Sequence, residues 1–377
     1  MTSKIILLKN AHIHPITASP FFGDVSIENG KIKRIAAQLP IGSDTKIVEC
    51  SGLWLLPGFI DVHTHLGLYN EGIGWPGNDA NETSGLLNPH LRAIDGVNPF
   101  DPAFLDAVKA GITTVHVMPG SSTIIGGTTA VIKTRGTNIK KMILQEPAGL
   151  KIALGENPKR VHSHGKNDSI TRMGIMGMLR EIFYEAQYCD YPDMLRFSPI
   201  LKAIKKEIPV RIHAHRADDI LSAIRFADEF DLDLRIEHCT EGHLIVKELT
   251  GLNLKVSVGP TLTRKSKVEL ANKTWETYPI LMQKDIEVSL TTDHPYIPIH
   301  YLNICAAIAV REGLSEQQAL EAITILPARN LRLDHKIGSI EAGKDADLVL
   351  WSHPPFHFMA KPKWTMIDGE FAFLAKE

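Results

Sequence analysis

The residues best suited to chemistry in this chain sit at the ends of apolar runs. Asp61-Val62-His63-Thr64-His65 closes the run Leu55-Leu56-Pro57-Gly58-Phe59-Ile60. On an extended strand side chains alternate faces, so His63 and His65 point the same way and both imidazoles can reach one cation. A pair that short is common, and by itself it reads more readily as two ordinary histidines near a strand end. Further partners follow the same rule. His213 ends Pro209-Val-Arg-Ile, with His215 two residues on; His238 ends Leu234-Arg-Ile-Glu; Asp293 ends Val288-Ser-Leu-Thr-Thr and precedes His294-Pro295. A lone buried histidine is usually a hydrogen-bonded core residue, but the same residue types recurring at one structural position argue for a shared ion. His213 and His215 face the same way, so either could be the ligand; His213 is placed first. Near the fourth run, a group bridging two cations could be Glu156, or Lys151 if carbon dioxide converts it to a carbamate. Glu156 is preferred because it lies at the depth of the other candidates and needs no modification.

These side chains need strands that end together. Strand-like runs occur at 58–65, 111–118, 128–134, 149–156, 209–215, 232–239, 254–260 and 286–295. Helix-like periodicity appears at 99–111, 169–189, 218–230 and 315–330, so strands and helices broadly alternate. Eight β/α units over 58–336 predict a TIM barrel, whose active sites lie at the C-terminal strand ends; the competing architecture is an open doubly wound sheet. Residues 1–57 and 337–377 carry short strands around Asn29-Gly30 and Asp368-Gly369, both hairpin signals. Each end is too short for a core of its own, so the two are expected to form one minor domain together. Two irregular stretches, 66–100 and 157–169, follow strand ends and are candidate walls of the site.

Composition limits the partners. The chain has 377 residues, 44% hydrophobic and 22% charged, which excludes global disorder and coiled coil. A formal charge of −2 gathers neither nucleic acid nor anionic lipid, leaving a small-molecule substrate as the expected partner. Four scattered cysteines fit reduced thiols, and no apolar run has signal-peptide or membrane-spanning length, so a cytoplasmic protein is expected.

Together, Pro57-Gly58-Phe59-Ile60-Asp61-x-His63-x-His65, the strand-end His213 and His238, Asp293 in Thr-Thr-Asp-His-Pro, and Gly338-x4-Gly343-Lys344-Asp345-Ala346-Asp347-Leu348-Val349 resemble the amidohydrolase superfamily over nearly the whole chain. Residues 154–160 and the Gly-Ser and Ile-Ile-Gly-Gly elements of 120–127 resemble its imidazolonepropionase-related and dipeptidase branch. The resemblance implies an α/β fold: a distorted TIM (β/α)8 barrel carrying a small β-sandwich built from both chain ends. It implies His63 and His65 as ligands of one metal, Asp293 as a further ligand and proton carrier, and His213 and His238 as ligands of a second. One or two divalent ions are expected, zinc first among them. The implied activity is hydrolysis of an amide carbon-nitrogen bond in a cyclic amide, N-acyl amino acid or dipeptide. Deamination of an amino-heterocycle is the alternative, weakened because no glutamate follows closely after His213; a non-catalytic scaffold is a third reading. His215, Arg172 and His116 are candidates for touching substrate, and a homo-oligomer is consistent with the resemblance.

Overall fold

The computed structural model describes residues 5–162, 170–188 and 195–376. The first five strands are β1 (Ile5–Ile13), β2 (Phe21–Glu28), β3 (Lys31–Ala36), β4 (Thr45–Glu49) and β5 (Trp54–Pro57). Asn29 and Gly30 both take positive φ, 52° and 76°, which suits the tight turn that joins β2 to β3.

Eight more strands run along the middle of the chain: β6 (Phe59–Thr64), β7 (Ile112–Val117), β8 (Ile125–Lys133), β9 (Ile143–Ala153), β10 (Val210–Ala214), β11 (Leu234–His238), β12 (Lys255–Val258) and β13 (Glu287–Leu290). They lie side by side in chain order. Most are buried on both faces, so they read as near-continuous apolar runs rather than alternating ones. Helices cover the outside. Helix Ala217–Glu229, for example, buries Ile220, Ala223, Phe226 and Ala227 at three- and four-residue spacing.

The sheet departs from eight repeated β/α units at one place. β6 is parallel to β7 and β9 through β13 are mutually parallel, but β8 runs antiparallel to both of its neighbours. The cause is connection length: residues 118–124 and 134–142 are too short for a crossover, which takes a dozen or more residues, so the chain folds back as hairpins. The barrel is nearly closed between β13 and β6, where side chains do much of the stitching. Asp61 accepts hydrogen bonds from the hydroxyls of Thr291 and Thr292, and the His65 N–H donates to the His294 carbonyl at 2.9 Å.

The chain then returns to the first sheet as β14 (Leu348–Trp351), β15 (Pro362–Ile367) and β16 (Glu370–Leu374). The order is β16-β15-β14-β5-β1-β2-β3, with β4 also pairing β1, so both chain ends share one sheet. Its own core holds Leu8, Val25, Ile27, Leu55, Leu348 and Met366. Lys133 at the end of β8 joins barrel to sheet. Its buried ammonium meets Asp345 at 3.0 Å, Asp368 at 3.2 Å and Asp347. Among the described residues no helix is long and apolar enough to cross a membrane.

Candidate metal centre

The ends of β6, β10, β11 and β13 bring His63, His65, His213, His215, His238 and Asp293 to one rim. Ring centroids of His63, His213 and His215 lie 4.6, 4.3 and 4.5 Å from that of His238. Asp293 Oδ1 is 3.4 Å from Nε2 of both His63 and His65. Ligand atoms of His63, His238 and Asp293 fall within 4.8 Å of one another, as do those of His213, His215 and His238, so His238 belongs to both groups.

Backbone geometry makes this possible. Glu237 and His238 are consecutive on β11 and should face opposite sides of the sheet. His238 instead has φ 74°, a left-handed conformation uncommon outside glycine, and Asp293 has φ 53°. The turn at His238 lets both residues touch the same ring: Glu237 Oε2 lies 2.8 Å from His63 Nδ1 while His238 packs on the His63 ring. Strain of this kind persists where the surroundings over-determine it, commonly at functional sites.

Hydrogen bonding fixes which imidazole nitrogens are available. His65 Nδ1 lies 2.8 Å from the Met118 carbonyl and His238 Nδ1 lies 2.8 Å from the Gly259 carbonyl. A carbonyl oxygen only accepts, so each Nδ1 carries the proton and each Nε2 presents a lone pair. His63 Nδ1 is likewise held by Glu237, whose other oxygen receives Arg211 Nε at 2.8 Å. Burial pushes the pKa of His213 down to about 4, and it holds His215 and His238 well below the ordinary value. Neutral imidazoles are the form that binds a cation. His63 Nε2, His213 Nδ1 and Asp293 Oδ1 are buried without a hydrogen-bond partner among the described residues. Orphaned lone pairs gathered at one rim, from histidines and a carboxylate, are the donor set a divalent ion takes.

The remaining sequence candidates are placed differently. Lys151 sits inside the barrel, 1% exposed, with Nζ 3.2 Å from Met118 Sδ. Burial lowers its pKa to about 8, against the pull of Glu237 and Asp293. Glu156 lies outside both ligand groups. β9 ends at Ala153 and Gly155 turns the chain with φ 83°, so Glu156 begins helix Glu156–His162 and its carboxylate accepts from the Glu269 N–H at 3.3 Å. That helix also replaces the irregular structure expected over 157–162; the rest of that stretch, 163–169, lies outside the described residues. His116 is fully buried between the Val62 carbonyl and the Thr129 hydroxyl, at 2.9 and 2.7 Å, a core histidine away from the cavity wall. Arg172 makes a bidentate pair with Asp219, at 2.7 and 2.9 Å. His215 does face the cavity.

Sequence reasoning missed Glu237, Lys267 and Glu269. Glu269, 1% exposed, comes from the segment after β12; its Oε1 lies 3.6 Å from His215 Nε2 and 3.8 Å from His213 Nε2. A Cβ at Gly155 would stand 2.9 Å from Glu269 Oε2, so the glycine gives this carboxylate room. Above the rim opens a cavity of about 1000 Å³. Both expected walls contribute, through Tyr69, Asn78 and Asn81 on one stretch and Asn157 and Arg160 on the other; Ser121 and Ser122 add the glycine-rich run.

A distorted β/α barrel with imidazoles and a carboxylate converging at its strand ends defines a class of carbon-nitrogen hydrolases and deaminases. The chain belongs to the amidohydrolase family, whose sequence pattern matches residues 54–372; the family typically binds divalent metal ions. The chain is 42% identical to an amidohydrolase from Thermotoga maritima MSB8 of known crystal structure, with a TM-score of 0.95 over 98% of this chain and 100% of that one. It is 27% identical to the amidohydrolase tasK of Hapsidospora irregularis over 94% of this chain, but spans only 40% of that relative's length. It is 25% identical to an imidazolonepropionase of Thermoplasma acidophilum over 87% of this chain and 82% of the relative. Deaminases are also among its relatives.

Proposed function

We propose that the protein is a metal-dependent hydrolase that cleaves an amide carbon-nitrogen bond of a cyclic amide, N-acyl amino acid or dipeptide. The observation that carries this reading is the placement of Asp293, whose Oδ1 is equidistant from two strand-end histidines within the cluster of imidazoles. His63, His65 and Asp293 would hold one ion, and His213 and His238, with His215 beside them, a second; zinc suits these ligands. A divalent ion, when bound, makes water acidic near neutral pH and polarises a carbonyl.

The protein's own groups then manage protons and position. Asp293 accepts the proton of the attacking water and delivers it to the departing nitrogen, changing from base to acid within one turnover. Its pKa fits the first role. Burial alone would raise it, but the contacts from His63 and His65 outweigh that and hold it well below the usual carboxylate range. Glu237 and Arg211 keep His63 in the tautomer that leaves Nε2 unprotonated. For the fourth-strand bridge, Lys151 now supports the reading better than Glu156, because it faces the barrel interior. A neutral Lys151 amine attacks carbon dioxide and loses a proton, giving an anionic carbamate, and its lowered pKa raises the neutral fraction.

The test is metal analysis of the purified chain together with turnover on N-acyl amino acids, dipeptides and cyclic amides. Asp293→Asn is expected to abolish turnover while much of the metal remains bound. Near-native turnover by that variant would refute the proton-carrier role. Release of ammonia from amino-heterocycles, with no cleavage of the amides, would move the assignment to deamination.

A further inference from the structure

One wall of the cavity is formed by the segment joining β12 to helix Thr277–Met282, through Thr263, Arg264, Ser266 and Lys267. Its charge is lopsided. Among the described residues the lining includes three cations, Arg160, Arg264 and Lys267, and a single carboxylate, Asp293, whose Oδ1 lies 3.4 Å from His63 and His65. Lys267 is held in place. Its ammonium meets Glu269 Oε1 at 2.5 Å and donates to Asn157 Oδ1 at 2.9 Å. An ammonium has three donors, so one remains for the cavity that the side chain lines. Only the Glu269 carboxylate separates it from the ring nitrogens of His213 and His215. Arg264 is exposed, and among the described residues its guanidinium meets no hydrogen-bond partner.

The segment is also braced. The Lys273 ammonium donates to the Pro260 carbonyl at 3.2 Å and the Thr263 hydroxyl at 2.6 Å, and the Thr261 and Tyr278 hydroxyls meet at 2.9 Å. Such bracing lets a charged anchor bind without paying again to order its loop.

We infer that this wall is a carboxylate anchor: Lys267 and Arg264 hold an anionic group of the substrate beside the amide to be cleaved, an inference that rests on the hydrolase reading above. Substrates are then N-acyl amino acids or peptides with a free carboxylate rather than neutral amides. Guanidinium supplies a planar fork for both oxygens and the lysine a fixed point charge. Glu269 and Asn157 are positioning residues, acting through Lys267.

The experiment compares matched ligands on the zinc-loaded full chain: N-acetylglycine against N-acetylglycinamide, and N-acetyl-L-leucine against its amide. Dissociation constants come from calorimetry, with ligand integrity checked afterwards; where a ligand is consumed, the ratio of kcat/KM values is read instead. The acid is expected to bind about tenfold or more tightly than the amide. Arg264→Met should lower that ratio several-fold, Arg264→Met with Lys267→Met should bring it near one, and Lys267→Arg should keep most of it. Equal binding of acid and amide by the unaltered chain overturns the anchor. So does an unchanged ratio in the double variant, which would place the carboxylate on the metal. If the double variant fails to fold, Arg264→Met decides alone, because that side chain is exposed and has no hydrogen-bond partner among the described residues. The two readings fail separately: amide cleavage without acid preference sinks the anchor, and acid preference without any cleavage sinks the hydrolase.

Discussion

Replacing Glu237 by Gln tests how the site is held together. The Glu237 carboxylate is fully buried between Arg211 Nε, 2.8 Å from one oxygen, and His63 Nδ1, 2.8 Å from the other. Burial would raise its pKa, but Arg211 and His63 outweigh that and hold it well below the usual range. Glutamine can satisfy only one partner correctly. With its oxygen toward Arg211, the amide NH₂ donates to His63 Nδ1 and forces the ring proton onto Nε2, where the lone pair for a cation should be. With the amide flipped, two donors meet at Arg211. Either way a buried guanidinium loses its counter-charge, which costs about 3–5 kcal/mol. Misorientation of a ligand by loss of its outer partner costs about 10–100-fold in metal affinity. The assay is competition for zinc against a chelator of known strength, alongside urea unfolding of the metal-free chain. Zinc affinity within about twofold of the unaltered protein, with an unchanged unfolding midpoint, would refute the argument that Glu237 sets the His63 tautomer.

Lys151→Met is expected to lower bound metal from two ions toward one per chain by elemental analysis, whereas Glu156→Gln leaves the content unchanged; the reverse pattern restores Glu156 as the bridge. Lys133→Met leaves the buried Asp345 and Asp347 without their shared cation, and is expected to destabilise the barrel-to-sheet junction by about 3–5 kcal/mol in urea unfolding. The metal-free chain should lose stability as pH falls from about 6.5 toward 4. In that window the unfolded chain takes up a proton on His213 that the folded chain, with its pKa near 4, does not. A flat thermal midpoint across the window would contradict the burial of neutral imidazoles.

Much of the architecture was legible because its signals are local. Apolar runs of strand length marked all the barrel strands, and Asn29-Gly30 and Asp368-Gly369 marked turns whose residues do take positive φ. The reversal at β8 escaped, since a buried strand reads the same in either direction and the runs at 128–134 and 149–156 leave fourteen residues between them, enough for a crossover. In the site, the alternation rule placed His63, while the register of β10 on β11 pairs His213 with Glu237. Glu237 itself escaped because period-two reasoning sends it away from its neighbour His238, and no residue pattern announces a left-handed backbone at histidine. Glu269 and Lys267 escaped for another reason. They lie on an irregular segment, where no periodicity says which side chains turn inward. Glu156 misled because depth was counted along the chain, and Gly155 bends that count.

The first sheet sets an order on synthesis. β5 lies between β1 and β14, so one of its edges has no neighbour until Leu348–Trp351 has left the ribosome. Throughout that interval Leu55 and Leu56, both fully buried at the end, are without their final cover. Unpaired strand edges with apolar side chains invite pairing with other chains. Premature termination between Asp293 and Leu348 therefore leaves a sticky fragment rather than a smaller folded protein, even though every candidate ligand of the rim has by then been made.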